Sequence, residues 1–195
     1  MDYRSLIKKY LHDEIKVLQS LNIDAINDAM CLLAEAFEAE KAIYIFGNGG
    51  SAATASHYVN DFNKGVSEHT DKKFRFICLN DNIATVMAIA NDIGYEEIFR
   101  FQLRGRLTEG DIIIGISGSG NSQNIINAVT YARESGNKII GITGYDGGEL
   151  KSLSDISLHV PVNSMQITED VHMIFDHLMM AVFYDTLAGK KHMIG

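Results

Sequence analysis

The chain is poor in the residues that cross-link or stiffen a backbone. Its 195 residues include two cysteines, one proline and no tryptophan. Cys31 and Cys78 have no Cys-x-x-Cys spacing, so two reduced, buried thiols are expected rather than a disulfide framework. No linker, repeat or low-complexity tract interrupts the sequence, which predicts a single domain over residues 1–195.

The chain also lacks excess positive charge and long apolar runs. It has 17 lysines and arginines against 25 aspartates and glutamates, a formal charge of −8. That balance argues against binding to nucleic acid or to an anionic membrane, but it is compatible with one small anionic ligand. No apolar run approaches the about 20 residues of a membrane-spanning helix, and the start of the chain lacks a signal-peptide core. A cytoplasmic location is therefore expected.

Five apolar runs alternate with helical patterns. The runs cover 41–46, 74–79, 111–116, 138–143 and 156–160. Those without polar alternation are typical of strands buried on both faces of a parallel sheet. Helices are predicted within 2–39, where there are two, and near 51–63, 83–91, 95–105, 122–135, 148–153 and 166–187. This order predicts an α/β fold, a doubly wound, flavodoxin-like, five-stranded parallel sheet preceded by two helices.

Two turns rich in serine and glycine follow the first and third predicted strands. They read Gly47-Asn48-Gly49-Gly50-Ser51 and Ser117-Gly118-Ser119-Gly120-Asn121-Ser122. Glycines let the backbone approach an anion, while serine hydroxyls and helix N-termini donate hydrogen bonds to it. In the strand order 2-1-3-4-5 both turns lie at the topological switch point. The sequence therefore predicts one phosphate cradle.

A dinucleotide site is the competing interpretation, since the first turn satisfies G-x-G-x-x-A. That site needs an acidic residue about 20 positions further on, whereas Asp81 lies 34 residues after Gly47. The second turn has no role in such a site, and no P-loop motif occurs. A small phosphorylated ligand is therefore favoured.

Taken together, the motifs resemble the sugar isomerase (SIS) family, in particular the phosphoheptose isomerases. The resemblance rests on both turns, the helix carrying His57, the segment Ala90-Asn91-Asp92-x-Gly94, and the helix carrying His172 and His177. It implies conversion of sedoheptulose 7-phosphate to D-glycero-D-manno-heptose 7-phosphate for surface-polysaccharide precursors. It also implies a homotetramer with active sites at subunit interfaces, and we expect residues 1–39 to pack there.

The resemblance assigns roles to individual residues. The phosphate contacts would be Asn48, Gly49, Gly50, Ser51, Ser117, Gly118, Ser119 and Ser122. Asp92 would contact the sugar, and His177 would be the acid–base histidine. A divalent metal, expected to be zinc, would be held by His57, Asp61, Glu169 and His177.

Three positions depart from the family pattern. Asp61 replaces a glutamate, Glu169 replaces a glutamine, and Gly65 replaces a common arginine. Helix rise separates Glu169 from His177 by about 12 Å, so the metal site can close only if both side chains lean inward or a neighbouring subunit contributes one.

Two questions stay open at this level. The catalytic base is either Asp61 or Glu169, with His177 as the acid. The alternatives to the heptose reaction are isomerisation of another sugar phosphate and a non-catalytic module that binds sugar phosphates or proteins. Carboxylates beside both His57 and His177 favour an enzyme.

Overall fold

The computed structural model describes residues 1–187 and Gly189. The strands form one sheet in the order β2-β1-β3-β4-β5, and every neighbouring pair is parallel. The strand bounds are β1 Ile43–Gly47, β2 Phe76–Cys78, β3 Ile112–Ser117, β4 Lys138–Thr143 and β5 Ile156–His159. The predicted doubly wound α/β fold is confirmed.

Eight α-helices accompany the strands within the described part of the chain. They are α1 Arg4–Gln19, α2 Ile23–Glu38, α3 Gly50–Asn60, α4 Ile83–Asp92, α5 Arg100–Leu103, α6 Gln123–Glu134, α7 Gly148–Leu153 and α8 Met165–Thr186. None of the helices in these residues is long and apolar enough to cross a membrane.

Two helix predictions need correction. The helix predicted over 51–63 ends at Asn60 and continues as a π-helix, Asp61–Gly65. The wider turn leaves the adjacent Asp61 and Phe62 both buried, and such π-bulges are frequent at functional sites. The helix predicted over 95–105 is divided into a 3₁₀ turn, Tyr95–Glu97, and the short α5. Ile98 and Phe99, which lie between the two, are buried.

Hydrophobic residues fill both faces of the sheet. Ile43 and Ile45 of β1 pack on the face covered by α2, α3 and α8. Tyr44 and Phe46 pack on the opposite face, which α4, α5, α6 and α7 cover. Burial on both faces explains why the strand runs lack polar alternation.

Helix α1 lies at the edge of this core, against which its Tyr10, Val17 and Leu18 pack. None of its residues is buried, and Leu6, Leu11 and Ile15 are 66%, 52% and 52% exposed. The Tyr10 hydroxyl donates a hydrogen bond to Asp170, which attaches α1 to α8. The helix therefore presents an apolar face that the described chain leaves uncovered.

Candidate active site

The two serine–glycine turns meet at the carboxyl ends of adjacent strands. Ser117 Oγ accepts a hydrogen bond from the Gly120 backbone N–H at 3.1 Å and lies 3.3 Å from Ser122 Oγ. Between the turns is a cavity of about 170 Å³. Its lining consists of Asn48, Ser51, Ile116, Ser117, Gly118, Ser119, Ser122, Met165 and Glu169. We call this cavity the cradle, and it brings together most of the residues predicted to bind phosphate.

A pair of amides joins the first turn to the start of α6, the helix that follows the second turn. Asn48 Nδ2 donates to Asn124 Oδ1, and Asn124 Nδ2 donates back to Asn48 Oδ1, each at 2.9 Å. The Tyr95 hydroxyl also donates to Asn48 Oδ1 at 2.9 Å. Sequence reasoning missed Asn124 and Tyr95, although Asn124 lies only two residues after the second turn. These bonds hold the cradle in shape before any ligand arrives.

Close contacts at two glycines limit what the first turn can contain. A Cβ on Gly47 would lie 2.6 Å from Ser51 Cβ, so only glycine lets α3 start there. A Cβ on Gly50 would lie 2.6 Å from Glu169 Oε1. Gly49 has φ +56°, which glycine adopts without strain. Glu169 therefore lies directly against the first turn.

Asp92, predicted to contact the sugar, does not line the cradle. It is exposed at the end of α4, and its carboxylate accepts a hydrogen bond from Asn91 Nδ2 at 2.8 Å. Its contact with the sugar stays a prediction.

A second group of polar side chains lies where α3 and α8 run side by side. His57 Nε2 is 3.2 Å from His177 Nε2 and 3.5 Å from Asp61 Oδ2. His177 Nε2 is 3.9 Å from Asp61 Oδ2, and His57 Nε2 is 4.0 Å from Asp176 Oδ2. One ligand atom from each of these four residues lies within 4.8 Å of the others. We call them the histidine group.

The predicted metal-ligand set differs from this group in one member. Asp176 is part of this group, whereas Glu169 lies eight residues before His177 and lines the cradle. The role of Glu169 as a metal ligand stays a prediction. The sequence analysis assigned no role to Asp176.

A family model for the SIS domain matches residues 8–144. The chain belongs to the SIS domain family. Phosphoheptose isomerase from Aliarcobacter butzleri is 35% identical over 187 residues, which are 94% of this chain and 98% of that protein. A phosphoheptose isomerase structure from Neisseria gonorrhoeae has a TM-score of 0.85 at 27% identity and covers 93% of this chain and 98% of its own. One from Francisella tularensis has a TM-score of 0.86 at 26% identity and covers 95% and 100%.

This SIS domain has a fully buried carboxyl group, that of Asp176, in the histidine group. Asp176 is 0% exposed, and neither of its carboxylate oxygens has a hydrogen-bond partner among the described residues. Burial, reinforced by the negative charge of Asp61, raises the pKa of Asp176 from 3.8 to about 8. An unpaired buried carboxylate is costly, so it favours a proton or a cation beside it.

The donor chemistry of the histidine group fits a divalent metal. Imidazole nitrogens and carboxylate oxygens are common zinc ligands, and donors about 2.0–2.2 Å from a tetrahedral zinc are about 3.3–3.6 Å apart. The contacts of 3.2, 3.5, 3.9 and 4.0 Å in the group are close to that separation.

Gly65, where the resemblance implies an arginine, is confined by helix α8. A Cβ there would lie 2.6 Å from Met180 Cε, so a longer side chain must displace that methionine. The adjacent Lys64 forms an exposed ion pair with Glu68 at 2.6 Å. No cation of the π-helix therefore substitutes for the arginine by facing the histidine group.

Acid should destabilise this SIS domain through His172. The side chain is 1% exposed, and burial lowers its pKa from 6.5 to about 4, so it is neutral when folded. Between pH 6.5 and about pH 4 the unfolded chain binds more protons than the folded chain. The free energy of unfolding therefore falls as the pH drops below about 6.5. Between about pH 7.5 and about pH 5, the wild type should lose about 2 kcal/mol more than His172→Gln. Urea unfolding at both pH values measures this, and equal losses would contradict it.

Proposed function

We infer that this chain is an aldose–ketose isomerase of a phosphorylated sugar, with sedoheptulose 7-phosphate as its substrate and D-glycero-D-manno-heptose 7-phosphate as its product. The observation that carries this inference is the coexistence of the cradle with a group of two imidazoles and two carboxylates. Relatives named phosphoheptose isomerase match over almost the whole chain and support the substrate.

The reaction needs a base for the proton on the carbon beside the carbonyl, and an acid for the carbonyl oxygen. We assign Asp61 as the base and His177 as the acid. Both belong to the histidine group, where Asp61 is 6% exposed while the side chain of His177 is 57% exposed and open to substrate. A divalent ion, when bound, would polarise the carbonyl oxygen. The enediol becomes the aldose when Asp61 returns the proton to the former carbonyl carbon and His177 takes the proton from the oxygen on the first carbon.

The length of the substrate distinguishes the roles of Asp61 and Glu169. An extended seven-carbon sugar has eight bonds between its first carbon and the phosphorus, about 9–10 Å at the span per bond of an extended chain. Glu169 lines the cradle, so it would lie beside the phosphate and far from the reacting carbons. This supports Asp61 as the base and leaves Glu169 as a neighbour of the phosphate.

We propose further that the active site is completed in a homotetramer in the cytoplasm. Within one chain, the cradle and the histidine group lie at different levels of α8, about 12 Å apart by helix rise from Glu169 to His177. The side chains of His57 and His177 are 43% and 57% exposed, which leaves the group open at the surface. The uncovered apolar face of α1, within residues 1–39, supplies a surface for association.

The test of the reaction is incubation of the protein with sedoheptulose 7-phosphate in deuterium oxide, followed by NMR. Turnover should produce the heptose 7-phosphate and place solvent deuterium on the carbon that receives the proton. Five- and six-carbon ketose and aldose phosphates serve as controls for chain length. Exchange confined to a shorter sugar would favour the alternative isomerase, and binding without exchange would favour a non-catalytic module.

A further inference from the structure

The side-chain amide of Asn48, which lines the cradle, is the meeting point of three segments. Asn48 lies in the turn after β1, Asn124 at the start of α6, and Tyr95 in the 3₁₀ turn after α4. Asn48 Oδ1 accepts hydrogen bonds from Asn124 Nδ2 and from the Tyr95 hydroxyl, each at 2.9 Å. These bonds occupy both lone pairs of Oδ1, and Nδ2 donates one of its hydrogens to Asn124. At most one N–H of the amide is left for a ligand.

The bond from Tyr95 differs from the Asn124 pair in what it attaches. Asn124 is 2% exposed, and its two bonds hold the first turn against α6. Tyr95 is 57% exposed, so its ring adds little to the core. Asn127 Nδ2 also ties the 3₁₀ turn to α6, by a bond of 3.2 Å to the Glu96 carbonyl, but the Tyr95 bond ends on a residue of the cradle. Without that hydroxyl, the Asn124 pair would still hold the first turn.

Tyr95 directly follows the segment Ala90-Asn91-Asp92-x-Gly94, in which Asp92 is the predicted sugar contact. Asp92 precedes Tyr95 by three residues, so their Cα atoms are at most about 11 Å apart. Gly94, which lies between them, has φ +147° and carries no side chain that could hold the segment in place. The Tyr95 hydroxyl therefore connects the end of the Asp92 segment to the cradle.

We propose that Tyr95 is a positioning residue for the sugar: its hydroxyl, through the Asn48 amide, fixes the Asp92 segment relative to the phosphate in the cradle. The inference rests on the proposed function, because it concerns the same phosphosugar. A carboxylate such as that of Asp92 accepts hydrogen bonds from sugar hydroxyls. A segment that is ordered before the ligand arrives binds more tightly, because no free energy is spent on ordering it. Phosphate alone does not involve this segment.

The test compares two ligands in Tyr95→Phe, which removes the hydroxyl and keeps the ring. Calorimetry gives Kd for sedoheptulose 7-phosphate, and displacement of that sugar gives Kd for inorganic phosphate. We expect the first Kd to rise about 3–10-fold, the range of one hydrogen bond, and the second to stay at the wild-type value. In the NMR assay KM should rise by the same factor with kcat unchanged, as when ground and transition state lose the same binding.

Tyr131→Phe is the matched control. It makes the same chemical change at a tyrosine of α6 that packs against the core away from the Asn48 amide. Its affinities for both ligands should equal those of the wild type.

A double-mutant cycle tests whether Tyr95 acts through Asp92. Asp92→Asn alone should weaken binding of the phosphosugar. Adding Tyr95→Phe to it should cost less than about 2-fold more, because a segment without its sugar contact gains little from being held. A merely structural role of Tyr95 would instead give losses of affinity that multiply.

The proposal is overturned if Tyr95→Phe keeps wild-type affinity for the phosphosugar, if it loses affinity for inorganic phosphate equally, or if the losses multiply in the double variant. It also fails if Asp92→Asn binds the phosphosugar as the wild type does, or if the wild type binds no phosphosugar. Failure of the proposed function looks different, because the calorimetric pattern would then hold while no sugar phosphate takes up deuterium in the NMR assay.

Discussion

Replacing His177 by asparagine is expected to lower kcat for sedoheptulose 7-phosphate by about 10²–10⁴-fold, the contribution of a positioned general acid or base. The asparagine cannot deliver a proton to the carbonyl oxygen, so solvent deuterium should also stop entering the sugar. Binding of the phosphosugar should persist, because the proposed phosphate contacts lie in the cradle and His177 does not line it. Calorimetry and the NMR assay together separate the two effects.

His69→Asn is the matched control. His69 ends a 3₁₀ turn, Val66–His69, and packs edge-on against Tyr184 rather than joining the histidine group. It should retain nearly full activity. Full activity in His177→Asn would remove His177 from the mechanism, and equal losses in both variants would indicate a general effect of histidine replacement on folding.

Two inactive variants mixed as subunits should regain activity if each active site is shared between chains. Ser119→Asp places a carboxylate on an exposed cradle residue, where it repels the phosphate, and His177→Asn removes the acid. Unfolding and refolding the two variants together creates mixed tetramers in which an intact cradle faces an intact histidine group. Each variant alone should stay inactive.

Light scattering provides the supporting measurement, with a tetramer mass expected for the wild type and for both variants. Association should involve the exposed leucines and isoleucines of α1. A monomeric wild type, or mixed tetramers that remain as inactive as their parents, would contradict a shared site.

The sheet could be predicted from the sequence because its strands are apolar on both faces and are separated by helical patterns. The position of the cradle could be predicted as well, because two serine–glycine turns that follow adjacent parallel strands lie together at the topological switch point. The π-helix could not be predicted, because its backbone departs from α geometry only after Asn60, where Asp61 and Phe62 are buried together.

Asp176 shows why the histidine group was predicted only in part. Its neighbours Val171, Phe175 and Met179 are core residues. The sequence around a carboxylate in such an apolar stripe does not show whether that carboxylate binds a ligand or is buried without one. Its position depends on how α8 packs against α3, a tertiary contact that local spacing does not encode. Glu169, the assigned ligand, was eight residues from its partner, a distance that straight helix geometry opposes.

The carboxylate of Glu169, lying against Gly50 at the cradle, has a kinetic consequence. Substrate and product carry the same phosphate, so its binding energy is common to both and lowers KM without raising kcat. If the phosphate binds in the cradle as proposed, the negative charge of Glu169 beside it would weaken this shared part of the binding. The product would then dissociate faster. Where product release limits turnover, kcat would be higher and the affinity for the phosphosugar lower.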